Sequence, residues 1–408
     1  MKSSGMNNEQ TVIWKLGKLS STRNNDQELT ESLSEAANLL AQGELVAFPT
    51  ETVYGLGADA RNTEAVAGIF SAKGRPSDNP LIVHIADRAV LSEFVAEVLE
   101  ADEKLMDAFW PGPLTLVLPV KPGVLSPKVT AGLDTVAVRM PDHPIALALI
   151  AESACPLAAP SANRSGRPSP TTAEHVYADL NGRIHGIVDG GAAGVGVEST
   201  VVRTNASGEA TVLRPGGISI GELSQVLGAS VREVSADHGK DINPAQAVNV
   251  EDTVETLSAT DEQQFLKSTA EDTLQKAVNF AEEAPRSPGM KYTHYAPSGM
   301  LEVCVGDEQE VKPEIQKRLS AARVRGEKTG LLVFDEHLKS YATSADVILS
   351  LGSKHDLREA ASRLYAALRR FDDEQTTYML AEGCSEDGIG AAIMNRMSKA
   401  AGGKVYHV

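Results

Sequence analysis

Short apolar runs closed by Pro or Gly alternate with stretches of helical period along most of this chain, and that alternation constrains it to an α/β sheet architecture. Residues 28–42 (ELTESLSEAANLLAQ) carry apolar side chains at helical spacing and stop at Gly43, a position suited to ending a helix. A strand is expected at Glu44–Phe48, closed by Pro49. A short helix at Ala65–Ala72 and a strand at Leu81–Ile85 follow, then one continuous amphipathic helix over Leu91–Phe109. WPGPLTLVLPV supplies a turn and a strand at Leu114–Val120, and TVAVR a strand at Thr135–Arg139 that ends on a cation. Pro144–Ser153 reads as a helix, and Leu157–Ala159, Ile184–Asp189, Ser199–Thr204 and Thr211–Arg214 as strands. These elements make one unit, residues 28–228, behind an N-terminal segment, 1–27.

The composition changes beyond Gly228. Residues 235–283 are acidic and poor in apolar side chains, so 229–284 reads as a solvated linker or insert with one helix near Asp272–Ala284. PRSPGMKYTHYAPSG then opens a Pro- and Gly-dense linker, 285–300. Strands at Leu301–Val305, Thr329–Phe334, Asp346–Ser350 and Tyr378–Ala381 alternate with helices at Pro313–Arg325, Leu357–Phe371 and Ile389–Ala401. That pattern predicts a smaller Rossmann-like α/β/α domain over 301–408. Gly352 and the Gly388–Gly390 run do not make a G-x-G-x-x-G fingerprint, so dinucleotide binding gains no support.

At 408 residues with 42% hydrophobic and 23% charged side chains, the chain has the makeup of a globular protein of two or three domains. Cys155, Cys304 and Cys384 lie far apart, which points to neither a zinc site nor a disulfide framework. A reducing compartment fits them. The N-terminus lacks the apolar core of a signal peptide and no run reaches membrane-spanning length, so a cytoplasmic location is expected. A net charge of −17 argues against tight nonspecific nucleic-acid binding but leaves room for a small anion in a locally basic pocket.

Such a pocket is foreshadowed by KGRPSDNPLIVHI (Lys73–Ile85). Lys73 and Arg75 flank Gly74, which permits close backbone approach, and they stand at the mouth of an apolar strand. A K-x-R by itself serves equally as a solvated loop. Here three further loops share its character: FPTETVYGLGADA (Phe48–Ala60), APSANRSGRPSPT (Ala159–Thr171) and GVESTVV (Gly196–Val202). Their Ser, Thr and Asn residues are turn formers when taken singly. Four such loops in one unit point to a binding cleft.

PTETVYGLG, KGRPSDNPLIVHI, WPGPLTLVL, VAVRMPDHP, APSANRSGRPSPT, GVESTVV and LRPGGI, in this order, resemble the YrdC-like threonylcarbamoyl-AMP synthases. SPGMKYTHYAP and the C-terminal β-α-β region resemble the linker and extra domain of that family's long form. The resemblance implies a twisted mixed sheet with helices on both sides, around a concave basic cavity. It also implies a reaction that joins L-threonine, bicarbonate and ATP into threonylcarbamoyl-adenylate and pyrophosphate. A downstream threonylcarbamoyl transferase complex would carry the group to tRNA, next to the anticodon.

Carried over residue by residue, the resemblance gives Lys73 and Arg75 the catalytic charge neutralisation. Thr52, His84, Arg139, Ala159 and Ser199 become threonine contacts. Arg75, Asn79, Thr135, Ser161, Asn163, Ser169, Arg214 and Tyr295 become ATP contacts. Arg139 suits a carboxylate through its planar fork, and Ser161 and Asn163 suit phosphate oxygens or a Mg²⁺ shell. Mg²⁺ is expected to come with ATP, since no protein cage is visible in the sequence. No covalent nucleophile stands out and no residue is singled out as general base, so positioning and electrostatics would carry the chemistry. Ser287–Pro297 is expected to form a lid, with Thr293 where a basic residue is more usual; the same segment also reads as a rigid tether. A module for double-stranded RNA or tRNA would use a similar basic surface without turnover, although the acidic charge allows at most weak RNA binding. A carbamoyl-phosphate-dependent enzyme of hydrogenase maturation contains a similar domain, but with cysteine pairs that this chain lacks.

Overall fold

The computed structural model describes residues 10–16, 26–234 and 294–408, with 26–29 as backbone only. The first unit contains strands β1 (Val12–Lys15), β2 (Val46–Phe48), β3 (Gly55–Asp59), β4 (Ile82–His84), β5 (Leu114–Pro119), β6 (Thr135–Arg139), β7 (Leu157–Ala158), β8 (Gly186–Asp189), β9 (Thr200–Thr204), β10 (Ala210–Arg214) and β11 (Val231–Glu233). Its helices are α1 (Asp26–Ala41), α2 (Thr63–Lys73), α3 (Leu91–Phe94), α4 (Glu100–Phe109), α5 (Pro127–Thr130), α6 (Pro144–Ser153), α7 (Ala173–Leu180) and α8 (Ile220–Leu227). The second unit adds β12 (Met300–Val305), α9 (Glu308–Val324), β13 (Thr329–Val333), β14 (Val347–Ser350), α10 (Leu357–Asp373), β15 (Tyr378–Glu382), α11 (Gly390–Ala400) and β16 (Val405–His407).

The strands of the first unit form one eleven-stranded mixed sheet in the order β1-β8-β2-β3-β7-β4-β6-β5-β9-β10-β11. Helices α1 and α6 pack with Phe48, Leu157 and Val188 on one side of it. The larger core lies on the other, where α2, α4 and α7 bring Ile69, Leu105 and Val176 against Leu56, Val83 and Leu116. The second sheet is parallel throughout, in the order β14-β13-β15-β12-β16. β13 and β15 are buried at every position, as expected of parallel strands covered on both faces. Helix α9 covers one face through Ile315 and Leu319, and α10 and α11 cover the other through Leu364 and Met397.

The sheet extends beyond the unit read from sequence. β1 pairs in parallel with β8 at one edge, and β11 pairs with β10 at the other, so residues on both sides of 28–228 belong to it. The helix expected over Leu91–Phe109 is two helices. Val95 turns extended and bridges to Val120, and Ala96 N–H donates to the Pro119 carbonyl (2.9 Å). Asp102 then starts α4 by accepting from Leu99 N–H (3.0 Å). The acidic insert 235–283, its helix near Asp272 and the first part of the expected lid, through Thr293, lie outside the described residues.

Candidate active site

Strand register builds the centre of the site. β4 and β6 run in parallel with His84 opposite Arg139, so both side chains leave the sheet at one place. β7 runs antiparallel beside β4, and Ala159 N–H donates to the Ile82 carbonyl (2.9 Å), bringing the 159–163 loop to the same strand ends. Loop 50–53 closes from the other side. The Thr50 hydroxyl accepts from the N–H groups of Thr52 and Val53 (both 3.2 Å), the local turn that Thr favours. Helix α2 delivers Lys73 in its last turn and ends on Gly74, whose φ of +62° is left-handed.

These loops line one cavity. Thr52, Lys73, Arg75, His84, Arg139, Ala159, Ser161, Asn163, Ser199, Arg214 and Tyr295 line it, and so gather from across the sequence as the resemblance implied. Asn79, Thr135 and Ser169 stand outside the lining. Asn79 is buried just behind Pro80, and its amide finds no hydrogen-bond partner among the described residues, a state that calls for one. Thr135 opens β6 at the Pro119 pair. Ser169 is buried and donates to Glu198 Oε1 (2.6 Å), acting on the cavity through that carboxylate.

Arg139 is buried, with Nη1 on Thr52 Oγ1 (2.8 Å), Nε on the Gly112 carbonyl (3.2 Å) and Nη2 beside Glu51 Oε1 (2.6 Å). A carboxylate therefore already sits on the guanidinium fork. Burial, followed by the nearby Arg139 charge, pushes the His84 imidazole down to about 3, so it is neutral at physiological pH. Lys73 Nζ reaches the carbonyls of Ser161 (2.5 Å) and Asn163 (2.6 Å) and Asn163 Oδ1 (3.3 Å). An ammonium has three donors, so Lys73 spends its hydrogen bonds on the wall and offers the cavity its field. Burial, with Arg75 next, holds its pKa well below the usual lysine range.

The side opposite Lys73 is built around an acid that the sequence reading passed over. Glu198, in the GVESTVV loop, lines the cavity and is 7% exposed. Burial works against its charge, but Arg396 and Arg214 outweigh that and hold it down at about 2. Tyr365 donates to both its oxygens (3.0 and 2.8 Å), and Arg396 Nε donates to Oε2 (2.9 Å). Both partners come from the second unit, on α10 and α11. Arg214 donates to the Ser199 carbonyl from Nη2 (2.9 Å) and Nε (3.2 Å), and from Nη2 to Ser199 Oγ (3.1 Å). Tyr295 takes a left-handed φ of +67° and packs against Tyr365 with ring centroids 5.2 Å apart. Ala296 N–H then donates to the Gly166 carbonyl (2.9 Å), and His294 and Tyr295, at the described end of the segment expected to form a lid, line the cavity.

The missed residues carried weak signals. Arg396 shares the buried face of α11 with Ile393, Met397 and Ala400, an anomalous place for a cation unless an acid meets it. Among the described residues, no group of three His, Cys, Asp or Glu side chains could hold a metal ion. No helix there is long and apolar enough to cross a membrane.

Comparison with known proteins agrees with this geometry. A family model described under telomere recombination, covering Sua5, YciO and YrdC, matches residues 38–216, and one for the threonylcarbamoyl-AMP synthase C-terminal domain matches residues 250–402. The threonylcarbamoyl-AMP synthase of Bacillus subtilis is 48% identical over 91% of this chain and 94% of its own length. That of Schizosaccharomyces pombe is 42% identical over 92% of this chain and 89% of its own. The crystal structure of Pyrococcus abyssi Sua5 complexed with L-threonine superposes with a TM-score of 0.79 at 39% identity, covering 98% of this chain and 100% of that one. Motifs, fold and both matched domains agree, and the chain belongs to the threonylcarbamoyl-AMP synthase family in its long, two-domain form.

Proposed function

We propose that the cavity holds L-threonine and ATP side by side and, with bicarbonate, converts them to threonylcarbamoyl-adenylate and pyrophosphate, a nucleotidyl transfer. The observation that carries this reading is the gathering of Arg139, Thr52 and His84 on one side of a cavity whose other sides present Lys73, Arg75 and Arg214. Two anions brought together need cations on both sides, because their repulsion in a partly dry cleft is large. Arg139 takes the threonine carboxylate on its fork in place of Glu51, with the Thr52 hydroxyl beside it. His84, being neutral, offers a hydrogen bond without adding charge. The threonine amine attacks carbon dioxide and gives up a proton to solvent, or it attacks bicarbonate, whose hydroxyl leaves with that amine proton as water. A carbamate oxygen then attacks the α-phosphorus of ATP while the bond to pyrophosphate breaks.

Arg75 and Arg214 face the phosphates, Lys73 adds its charge, and Asn79, Thr135, Ser161, Asn163 and Ser169 shape the nucleotide side. The lone-pair oxygens of Ser161 and Asn163 are hard donors suited to Mg²⁺, but they already engage each other (2.6 Å), so the ion would be held mainly by ATP. When bound, Mg²⁺ neutralises phosphate charge. His294 and Tyr295 cover the nucleotide and keep water from the adenylate. The product passes to a separate transferase complex acting on tRNA in the cytoplasm, with at most weak direct RNA binding by this acidic chain.

Pyrophosphate release with ATP and Mg²⁺ tests the reading. Release should require L-threonine and bicarbonate together and be lost in Arg75→Ala. ATP binding without release under any combination of substrates would overturn it.

A further inference from the structure

The chain that carries Tyr295 into the cleft is held from both units. Tyr295 has a left-handed backbone, a conformation that a non-glycine residue keeps only when its neighbours fix it. The fixing contacts follow at once. Ala296 N–H is spent on the Gly166 carbonyl of the first unit, Pro297 has no donor, and Ser298 N–H donates to Asp372 Oδ1 (2.6 Å) on α10. Gly299 then lies close against the second unit: a Cβ there would stand 2.5 Å from the Thr376 carbonyl oxygen and 2.8 Å from that of Thr377. Asp372 itself sits in the last turn of α10, where the helix dipole disfavours a carboxylate, and its side chain is 10% exposed. Its second oxygen is buried without a hydrogen bond among the described residues and faces Arg167 Nη2 at 3.8 Å. Arg167 belongs to the loop that carries Ser161 and Asn163, and its carbonyl accepts from Asn163 Nδ2 (2.8 Å). One carboxylate thus meets both the chain leading from Tyr295 and a loop of the cavity wall.

We propose that Asp372 is a positioning residue of the cleft: one oxygen fixes the chain that leads from Tyr295, the other faces Arg167, and Tyr295 so keeps its place against the wall formed by Ser161 and Asn163. The proposal rests on the reading that Tyr295 covers the nucleotide. The Ser298 bond is the stronger hold, because a charged acceptor at 2.6 Å outweighs an ion pair at 3.8 Å to an arginine whose side chain is 36% exposed. Without that bond, Tyr295 leaves its left-handed backbone for part of the time. Nucleotide affinity then falls in proportion to the fraction of molecules that keep it.

Asp372→Ala should weaken Mg²⁺-ATP binding about tenfold, as when about one molecule in ten still holds Tyr295 in place, and leave L-threonine affinity within about twofold. Asp372→Asn loses the charge but keeps an oxygen for Ser298 N–H, so it should recover most of that loss. Tyr295→Ala should weaken ATP binding by itself, and adding Asp372→Ala to it should cost no more than about twofold further, because both act on one contact. Titration of Mg²⁺-ATP and of L-threonine into the full chain and these variants gives the answer, with thermal unfolding as a check on folding. Asp372→Glu keeps the charge on a longer arm and misplaces the acceptor; it should also weaken ATP binding, and it stands in if Asp372→Ala does not fold. Parental ATP affinity in the Ala and Glu variants, equal losses for both substrates, an Asn variant no better than Ala, or full additivity in the double variant overturns the proposal. Parental ATP affinity in Tyr295→Ala overturns the covering reading and the proposal with it, whereas a loss there with none in Asp372→Ala overturns the proposal alone.

Discussion

Arg139 meets Thr52, Gly112 and Glu51 at once, and the last of these occupies the fork that a substrate carboxylate would take. Arg139→Lys keeps the charge and loses the fork, so the threonine KM should rise by roughly 100-fold while ATP affinity stays within about twofold. Equal losses for both substrates would contradict that placement. His84 leads to a pH prediction. Its folded-state pKa of about 3 lies below the ordinary value of 6.5, so the unfolded chain takes up the proton first. Stability is then fullest above pH 6.5 and declines as pH falls toward 3. His175, lowered to about 4 by burial and by Arg369, adds in the same direction. Urea midpoints should therefore fall between pH 7.5 and pH 5.5, and His84→Gln should flatten that fall; an unchanged slope in the variant would refute the assignment. The motif residues were legible at this scale because a short loop of polar side chains announces itself. Glu198 was not, because a buried carboxylate is defined by its partner, and Arg396 lies 198 positions away.

The elements show where local pattern decides and where it yields. Thr135–Arg139 and Pro144–Ser153 stand where the residue pattern put them, since a β-branched run or a Pro-started apolar helix has little local competition. β3 was missed because GLGAD has no β-branched residue, and only pairing with β2 and β7 makes it a strand. The break between α3 and α4 has the same origin, as a continuous helix would forfeit the Val95 bridge to Val120. Asp102 holds the restart and also accepts from the Thr204 hydroxyl (2.6 Å). Asp102→Ala should destabilise the protein by about 2 kcal/mol, seen as a lower urea midpoint with an unchanged m value. At the end of α2 a Cβ on Gly74 would meet nothing within 4 Å, so only its left-handed φ resists substitution. Gly74→Ala should cost about 1 kcal/mol and displace Arg75. An ATP affinity equal to the parent's would show that the Arg75 loop does not depend on this cap.

Over the whole molecule the two units are joined by buried charge. Arg369 on α10 meets Asp179 on α7 at 2.9 Å, with side chains 5% and 0% exposed, and also reaches the Pro168 carbonyl. Removing one partner of such a pair strands the other, at a cost of about 3–5 kcal/mol. Arg369→Ala should therefore lower the melting temperature and split one calorimetric transition into two; a single transition at the parental temperature would mean that the units do not unfold as one. The sequence by itself determined the α/β class, the two-unit order and the polar loops of the cleft, because these follow from short-range periodicity and turn chemistry. The tertiary structure alone decided the edges of the large sheet, the division of the 91–109 helix and the attachment of Glu198 to Arg396 and Tyr365. Those features depend on pairings between distant segments, and local pattern does not specify which distant residue the partner will be.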